Sequence, residues 1–566
     1  MNRNHSLLAV IAAMLIFPVD CGCQQRSDRP DVAGYWYGQS AANPNVVVVL
    51  WFSSEDGTIG GKAFFPAGAT LRSTETLRNV VLSGTGIAFD LPTIGTHYSG
   101  QISSTEIRGG FHTPGNPFMA FAFTRTELDS LRSADAIRAA NKPYDLHRMF
   151  SRDQLKADLS VLKKGILSHP RALLYHSRGQ LEGYFRNAER KVEKGMSIVE
   201  FVRVVAPLIA DLRCYHSQLV LPEKMRTAFV KESTSIPLDI IYVGDRAYVR
   251  RSFVNDPVIE PGSEILAING MSAKDILRRL AACISADGMN MSSKRAQINR
   301  AFWFLYHYID SPSDYVLALR RPSGSRRVDI SVKAVPSQVV RDAMASAEQF
   351  QTAADPDKVP VSLSIRDGVG VLAVRSFLYF DLNKYREVLD SLFAELRSRR
   401  VETLVVDLRG NAGGHPALAA HLFSFFIRQA TPYLKEPRND PQYTELLNPV
   451  EPAKDGFRER VFFLSDGSCL SSTGHFLALV KYHKLGEIVG DIPGGSYTCS
   501  DEAQLWKMPN SGIQFTIART VFTAAVQGYR TGDQVIPDHT VKPTLSDLLG
   551  NKDTVMEAVR RLIHER

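Results

Sequence analysis

A segment that reads as a buried strand, Val401 to Leu408, breaks into Arg409-Gly410-Asn411-Ala412-Gly413-Gly414, and an apolar helix resumes from Pro416 to Phe426. A strand, a glycine-rich turn and a helix in this order bring backbone N–H groups together at a helix N-terminus, where a negative oxygen can bind. That oxygen belongs either to a phosphate or to the oxyanion of an acyl-transfer intermediate. The run matches neither GxGxxG nor a P-loop with its Lys-Ser/Thr ending, which disfavours phosphate. Downstream, Ser471-Ser472-Thr473-Gly474-His475 follows an apolar strand and opens another helix. A serine there can project its hydroxyl into a cleft as a nucleophile, or it can simply cap the helix. Upstream, Tyr215-His216-Ser217-Gln218-Leu219 follows the end of a helix. His216 can answer the helix dipole or act as a general base near neutral pH. His475, four residues after Ser471 on one helix, can face the same cleft and is a rival base.

The elements that must hold these residues alternate. From 360 onward, strands at Val369–Val374, Val401–Leu408, Arg460–Leu464 and Glu487–Val489 alternate with helices at Lys384–Arg397, Pro416–Ile427 and Ser472–Tyr482. This predicts an α/β core over 360–566. Residues 140–225 read as a helical segment carrying His216, with Leu155, Leu159, Leu162 and Ile166 at helical spacing. Residues 230–345 mix strands with a helical insertion. Within them, Ile259 to Gly270 followed by a helix at Ala273–Ala282 resembles the strand and turn of a PDZ domain, against the plainer alternative of a β-hairpin. Residues 30–127 carry short alternating runs between glycine turns, which predicts a small barrel or sandwich. The aromatics of Gly34-Tyr35-Trp36-Tyr37-Gly38 suit its core better than a ligand cage.

At 566 residues the chain has room for several domains, and 44% hydrophobic against 22% charged residues is an ordinary globular balance. The net charge of +8 is spread too thinly to make a nucleic-acid groove. Residues 1–25 read as an export signal: Arg3, then an apolar run from Leu7 to Phe17 that is too short to span a bilayer. Cys21 and Cys23 follow as candidate lipid anchors, although Pro18-Val19-Asp20 suits a lipobox poorly. Cys469 and Cys499 are candidates for a disulfide in an oxidising compartment. With no HExxH and no zinc spacing, no metal or cofactor is implied.

Taken together, the segments resemble the C-terminal-processing, or tail-specific, serine peptidase family. The resemblance rests on the DLRGNAGG turn at 407–414, on Ser471 at a helix start, and on Ile488-Val489-Gly490 leading to Gly494-Gly495. It is completed by Pro537-Asp538-His539-Thr540-Val541-Lys542-Pro543-Thr544, with Asp547 to Gly550 and Asp553 beyond. It covers roughly 140–566, leaves out the β module, and implies a crotonase-like α/β peptidase core with a PDZ-like domain and a helical segment. Residues 30–127 separately resemble the lipocalin-like all-β modules fused to some secreted hydrolases, so the whole reads as a multidomain α/β protein. One branch of the family uses a lysine base after the glycine turn, but no lysine occurs between Lys484 and Lys507. Tyr215 to Leu219 instead matches the tricorn-like branch, which takes a histidine base from that position. The resemblance thus assigns Ser471 as nucleophile and His216 as base, with Ser472 N–H and Gly413 or Gly414 N–H as oxyanion donors. Asp407 and Arg409 would buttress the turn. The acidic member departs from the family pattern: simple register places Thr531 there, and Asp533 is the nearest carboxylate.

The implied function is an exported serine endopeptidase, periplasmic or on the outer surface, acting on peptides or unfolded-protein tails through an acyl-enzyme. The alternative is a ligand- or peptide-binding protein that keeps the fold without catalysis, as some relatives of this family do. An esterase of another fold is disfavoured, because Asp466 to Leu470 does not make a GxSxG elbow.

Overall fold

The computed structural model describes residues 32–40, 47–55, 58–64, 74–83, 85–91, 96–112, 119–126, 144–255, 258–348, 359–379, 381–435, 446–501 and 503–565. The expected export segment, with Cys21 and Cys23, lies outside them. Among the described residues no helix is long and apolar enough to cross a membrane. The chain divides into two compact units, residues 1–142 and 143–566.

In the first unit, strands from Gly34–Ser40 to Met119–Thr126 form one antiparallel meander, and the first strand pairs with both the second and the last. Only Leu77 separates the strands Thr74–Thr76 and Arg78–Ser83. The first of these pairs with Thr58–Phe64 and the second with Gly86–Leu91, while the Leu77 N–H donates to Gly61 O at 2.9 Å. The extended run 74–83 therefore pairs on both sides and closes the sheet into a barrel, which removes its free edges. Trp36, Phe52, Phe89, Tyr98 and Phe123 are buried inside it. Phe89 and Tyr98 stack with centroids 4.9 Å apart, and the Tyr98 hydroxyl donates to Phe121 O at 2.8 Å. Aromatic side chains fill the interior.

The second unit begins with helices Arg152–Ser168, Arg178–Lys191 and Ile198–Ala210. Each is opened by a capping box, Ser151 with Gln154, Ser177 with Gln180 and Ser197 with Glu200, so every start is fixed locally by reciprocal hydrogen bonds. The first helix is tied to the C-terminal half of the chain by the buried Asp158, which accepts the Asn510 and Ser511 N–H groups at 2.8 Å each. Gly165 gives way to the ring of Phe515. These contacts hold the helical layer against the strand Gln514–Ile517, which in turn holds the His216 loop.

Residues 238–333 form an antiparallel sheet in the order 238–243, 246–252, 264–268, 314–320, 327–333, with the helix Ala273–Ala282 where the sequence places it. The edge strand Leu238–Val243 runs beside the helix Met291–Leu305. Asn299 of that helix donates to Tyr242 O at 3.0 Å and accepts the Tyr242 N–H at 2.8 Å. A side-chain amide thus stands where a docking peptide would pair at that end of the strand.

The core sheet has six strands in sequential order: β1 (Val361–Arg366), β2 (Val369–Val374), β3 (Thr403–Asp407), β4 (Arg460–Ser465), β5 (Glu487–Gly490) and β6 (His539–Thr540). β1 and β2 are antiparallel, and all later pairs are parallel. Val405, Phe462, Leu464 and Val489 face the helix Thr554–His564 through Val555 and Val559, while Leu404, Val406 and Phe463 face the opposite layer. Alternate residues of β3 and β4 thus supply two cores, as a sheet covered on both faces requires. The loops after β3, β4 and β5 meet at the carboxyl ends of the strands, where open α/β sheets place their clefts.

Candidate active site

Asp407 ends β3 inside the protein. Arg409 and Arg375 grip its carboxylate at 2.8 and 2.9 Å, and Arg409 also holds Asp553 at 2.7 Å. Burial pushes the Asp407 carboxyl up, but hydrogen bonds from the two guanidinium groups outweigh it and hold it below its ordinary value. Asp407→Asn leaves both guanidinium groups short of a charge and is expected to cost about 3 kcal/mol at neutral pH, read as a lower urea midpoint. Because the folded-state pKa is depressed, this stabilisation is complete above the ordinary carboxylate value of about 3.9 and is lost as pH falls through the lower folded value. The gap between wild type and variant should therefore narrow in strong acid.

The turn after Asp407 is built on Asn411, which is fully buried. Its Nδ2 donates to Val374 O at 3.0 Å, and its Oδ1 accepts the Gly413 N–H at 2.9 Å. The Gly413 N–H, expected as one of two alternative oxyanion donors, is thus already engaged. Among the described residues the N–H groups of Gly414 and Ser472 have no hydrogen-bond partner. A Cβ on Gly413 would stand 2.6 Å from the Ser471 Cβ, so the glycine allows the turn to press against that serine.

The loop after β4 carries Ser471 into position. The Leu470 N–H donates to Asn411 O at 3.1 Å, and the Gly495 N–H donates to Cys469 O at 2.7 Å, which locks three loops together. Gly474 meets Gly495 backbone to backbone. Ser471 has φ +51° and ψ −124°, a conformation costing about 1–3 kcal/mol for a residue with a side chain, and surrounding contacts must hold it there. It precedes the helix Ser472–His483, yet its hydroxyl makes no capping hydrogen bond. The Cys469–Cys499 disulfide considered from sequence is absent. Both thiols are free, and Cys469 donates to Leu408 O at 3.1 Å on the inner side of the turn.

His216 is stitched into place through its backbone. Its carbonyl accepts the Thr516 hydroxyl at 2.9 Å, the Tyr215 N–H donates to Asp287 at 2.8 Å, and the Ser217 hydroxyl accepts the Ala518 N–H at 3.1 Å. The ring presents Nδ1 to Cys499 Sγ at 3.5 Å and Nε2 to Asp501 Oδ1 at 3.7 Å. Cys499 and Asp501 alternate on the strand Thr498–Asp501, so their side chains share one face. Burial pushes the Asp287 carboxyl up, against the pull of His216, the Tyr215 N–H and Arg171, and its second oxygen is buried without a partner.

Asp533, expected from sequence as the orienting carboxylate, is placed elsewhere. Its Oδ2 accepts the Arg530 N–H at 2.9 Å and closes its own turn. Among the described residues it makes no hydrogen bond or ion pair with His216. Thr531, the residue at the family position, borders a small cavity with Asp287, Tyr175 and Arg213. His475 is buried with both ring nitrogens unpartnered, and burial together with the nearby His216 presses its pKa down to about 4. Sequence reasoning missed Cys499, Asp501 and Asp287. The alternation of Cys499 and Asp501 was the available signal for the first two, whereas Asp287 sits in an ordinary turn that gives none.

Residues 368–541 match the family model of peptidase family S41. No curated protein sequence matches the chain. Among solved structures, mature CPAF is similar in fold, with a TM-score of 0.51 at 14% identity over 73% of this chain and 96% of that one. A complex of mature CPAF with lactacystin gives a TM-score of 0.50 at 15% identity, over 73% and 97% of the two chains.

Proposed function

Since the chain belongs to peptidase family S41 through residues 368–541 and is a serine-type peptidase, we propose that it is an exported endopeptidase that cleaves peptides or unfolded-protein tails through an acyl-enzyme on Ser471. The observation that carries this reading is the strained, uncapped Ser471, set beside two unpartnered N–H groups and the thiol–imidazole pair of Cys499 and His216. In the reaction, Ser471 Oγ attacks the scissile carbonyl and its proton passes to His216. The Gly414 and Ser472 N–H groups hold the oxyanion, and His216 returns the proton to the leaving amine. Water then repeats the sequence on the ester. Asp501 takes the orienting role for which Asp533 was named as the nearest carboxylate, while Asp287 fixes the Tyr215 backbone beside the base.

Export is supported by the apolar run Leu7–Phe17, which directs the chain to the periplasm or outer surface, with Cys21 or Cys23 as candidate lipid anchors. Residues 230–345 act as a PDZ-like module and the barrel as a lipocalin-like one. With Tyr242 occupied by Asn299, peptides reach the site by another route than strand addition at that end of the edge.

The test is intact-mass spectrometry after exposure to a fluorophosphonate serine probe. Wild-type protein is expected to gain one adduct and Ser471→Ala none. A folded wild type that stays unlabelled would overturn the peptidase mechanism in favour of a binding protein on the same fold.

A further inference from the structure

Two peptide planes decide where the proposed oxyanion donors point. The Phe377 N–H donates to Gly413 O at 2.9 Å. The C=O and N–H of a trans peptide point opposite ways, so the Gly414 N–H is turned away from Phe377. On the other loop, Ser471 O accepts the Gly474 N–H at 2.8 Å, so the Ser472 N–H faces out of the helix N-terminus. These bonds set two directions but not the distance between the donors. The donors lie on separate loops, after β3 and after β4, and an oxyanion needs both within about 3 Å of itself. One side chain joins them: the Ser472 hydroxyl donates to Gly414 O at 2.6 Å. Resting on the reading of these two N–H groups as oxyanion donors, we infer that Ser472, through its hydroxyl, is the positioning residue that sets the spacing of the oxyanion hole.

The bond is not the local one that a serine at a helix start usually makes. A hydroxyl there caps its own first turn, whereas this one reaches across 58 positions of the chain. Ser472 is 4% exposed, so water competes little for the contact. Gly414 O has no other hydrogen-bond partner among the described residues. Phe377 holds Gly414 from one side, through the bond to Gly413 O and through its own carbonyl, which accepts the His415 N–H at 2.8 Å. The Gly414 carbonyl shares a peptide plane with that His415 N–H and so points the other way, toward the helix that follows the nucleophile. Ser472 meets it there.

The same two loops are also joined by the Leu470 N–H, which donates to Asn411 O at 3.1 Å. That backbone bond lies on the other side of Ser471 in the chain and survives loss of the hydroxyl. Removing the hydroxyl should thus let the two donors drift apart without unfolding the site. A bound substrate carbonyl tolerates such drift, because its oxygen carries little charge. A tetrahedral oxyanion does not, so the loss should be confined to the reacting state.

The experiment compares the full chain as wild type, Ser472→Ala and Ser472→Thr, by steady-state cleavage of a peptide and by inhibition with a peptide aldehyde and the matching peptide alcohol. The aldehyde forms a tetrahedral adduct on Ser471 and places an oxyanion between the donors, whereas the alcohol does not. Ser472→Ala should lower kcat by about 10- to 10²-fold with KM within about twofold, and weaken the aldehyde by a similar factor while leaving the alcohol unchanged. Ser472→Thr keeps the hydroxyl donor and should stay within about fivefold of wild type. An alanine variant with wild-type kcat, one that loses aldehyde and alcohol affinity equally, or alanine and threonine variants slowed alike would overturn the role. Should the alanine variant lose its cooperative urea transition, Ser472→Cys takes its place: it keeps a weaker donor and must show the same loss for the aldehyde alone. A wild type that takes no fluorophosphonate label would instead sink the peptidase reading on which the role rests.

Discussion

His216→Ala is expected to lower kcat/KM for peptide cleavage by about 10⁴-fold or more, while His475→Ala stays within about tenfold of wild type. The two histidines differ in what surrounds them. His216 has each ring nitrogen facing a group that can exchange or balance a proton, the Cys499 thiol at 3.5 Å and the Asp501 carboxylate at 3.7 Å. His475 has neither: both nitrogens are buried without partners, and its pKa is pressed down to about 4. A base that weak accepts a serine proton poorly near neutral pH. An imidazolium formed there would also stand unscreened beside His216. The residual activity of His216→Ala should come from the oxyanion donors and substrate positioning, which that substitution leaves in place. Steady-state kinetics on a peptide library would separate the two variants. Equal losses in both would remove the basis for assigning the base to His216.

The same contrast marks how far the chain could be read without its fold. The DLRGNAGG turn and the serine after β4 were legible because each is a local device, a strand ending in glycines or opening a helix, written in consecutive residues. Helix positions followed from apolar spacing; the helix after the first glycine turn ends at Ser424, short of the expected Ile427. What escaped were the pairings across long separations that no motif marks. Asp501 meets His216 across 285 positions, and that meeting depends on the strand 514–517 gripping the His216 carbonyl through Thr516. Asp533 was chosen for nearness in sequence to a family position, but a four-residue turn uses its carboxylate locally. Gly413 and Gly414 looked equivalent as donors, and only the side chain of Asn411 distinguishes them. Barrel closure likewise turns on Leu77 alone, which lets one extended run pair with two different neighbours.

Gly414→Ala is expected to lower kcat by about 10²–10³-fold, the usual effect of losing one oxyanion donor, and to destabilise the peptidase core as well. Gly414 has φ +140°, and a Cβ there would stand 2.1 Å from the Phe377 carbonyl carbon and 2.3 Å from the Leu378 nitrogen. Those are backbone atoms, so no side chain can swing aside. The alanine variant must part the bridge in which the Phe377 N–H donates to Gly413 O at 2.9 Å and the His415 N–H donates to Phe377 O at 2.8 Å. Parting it displaces the Gly414 N–H, which no other group engages and which is free to meet an oxyanion. Gly410→Ala is the matched control, for Gly410 also has positive φ, at +78°, but its missing Cβ would meet nothing within 4 Å. It should cost about 1 kcal/mol in urea unfolding through backbone strain and leave kcat within about twofold. If both variants lost kcat equally, the turn would matter only as a rigid scaffold. If Gly414→Ala alone lost it, with KM little changed, the position of the Gly414 N–H would be what the glycine is there to protect.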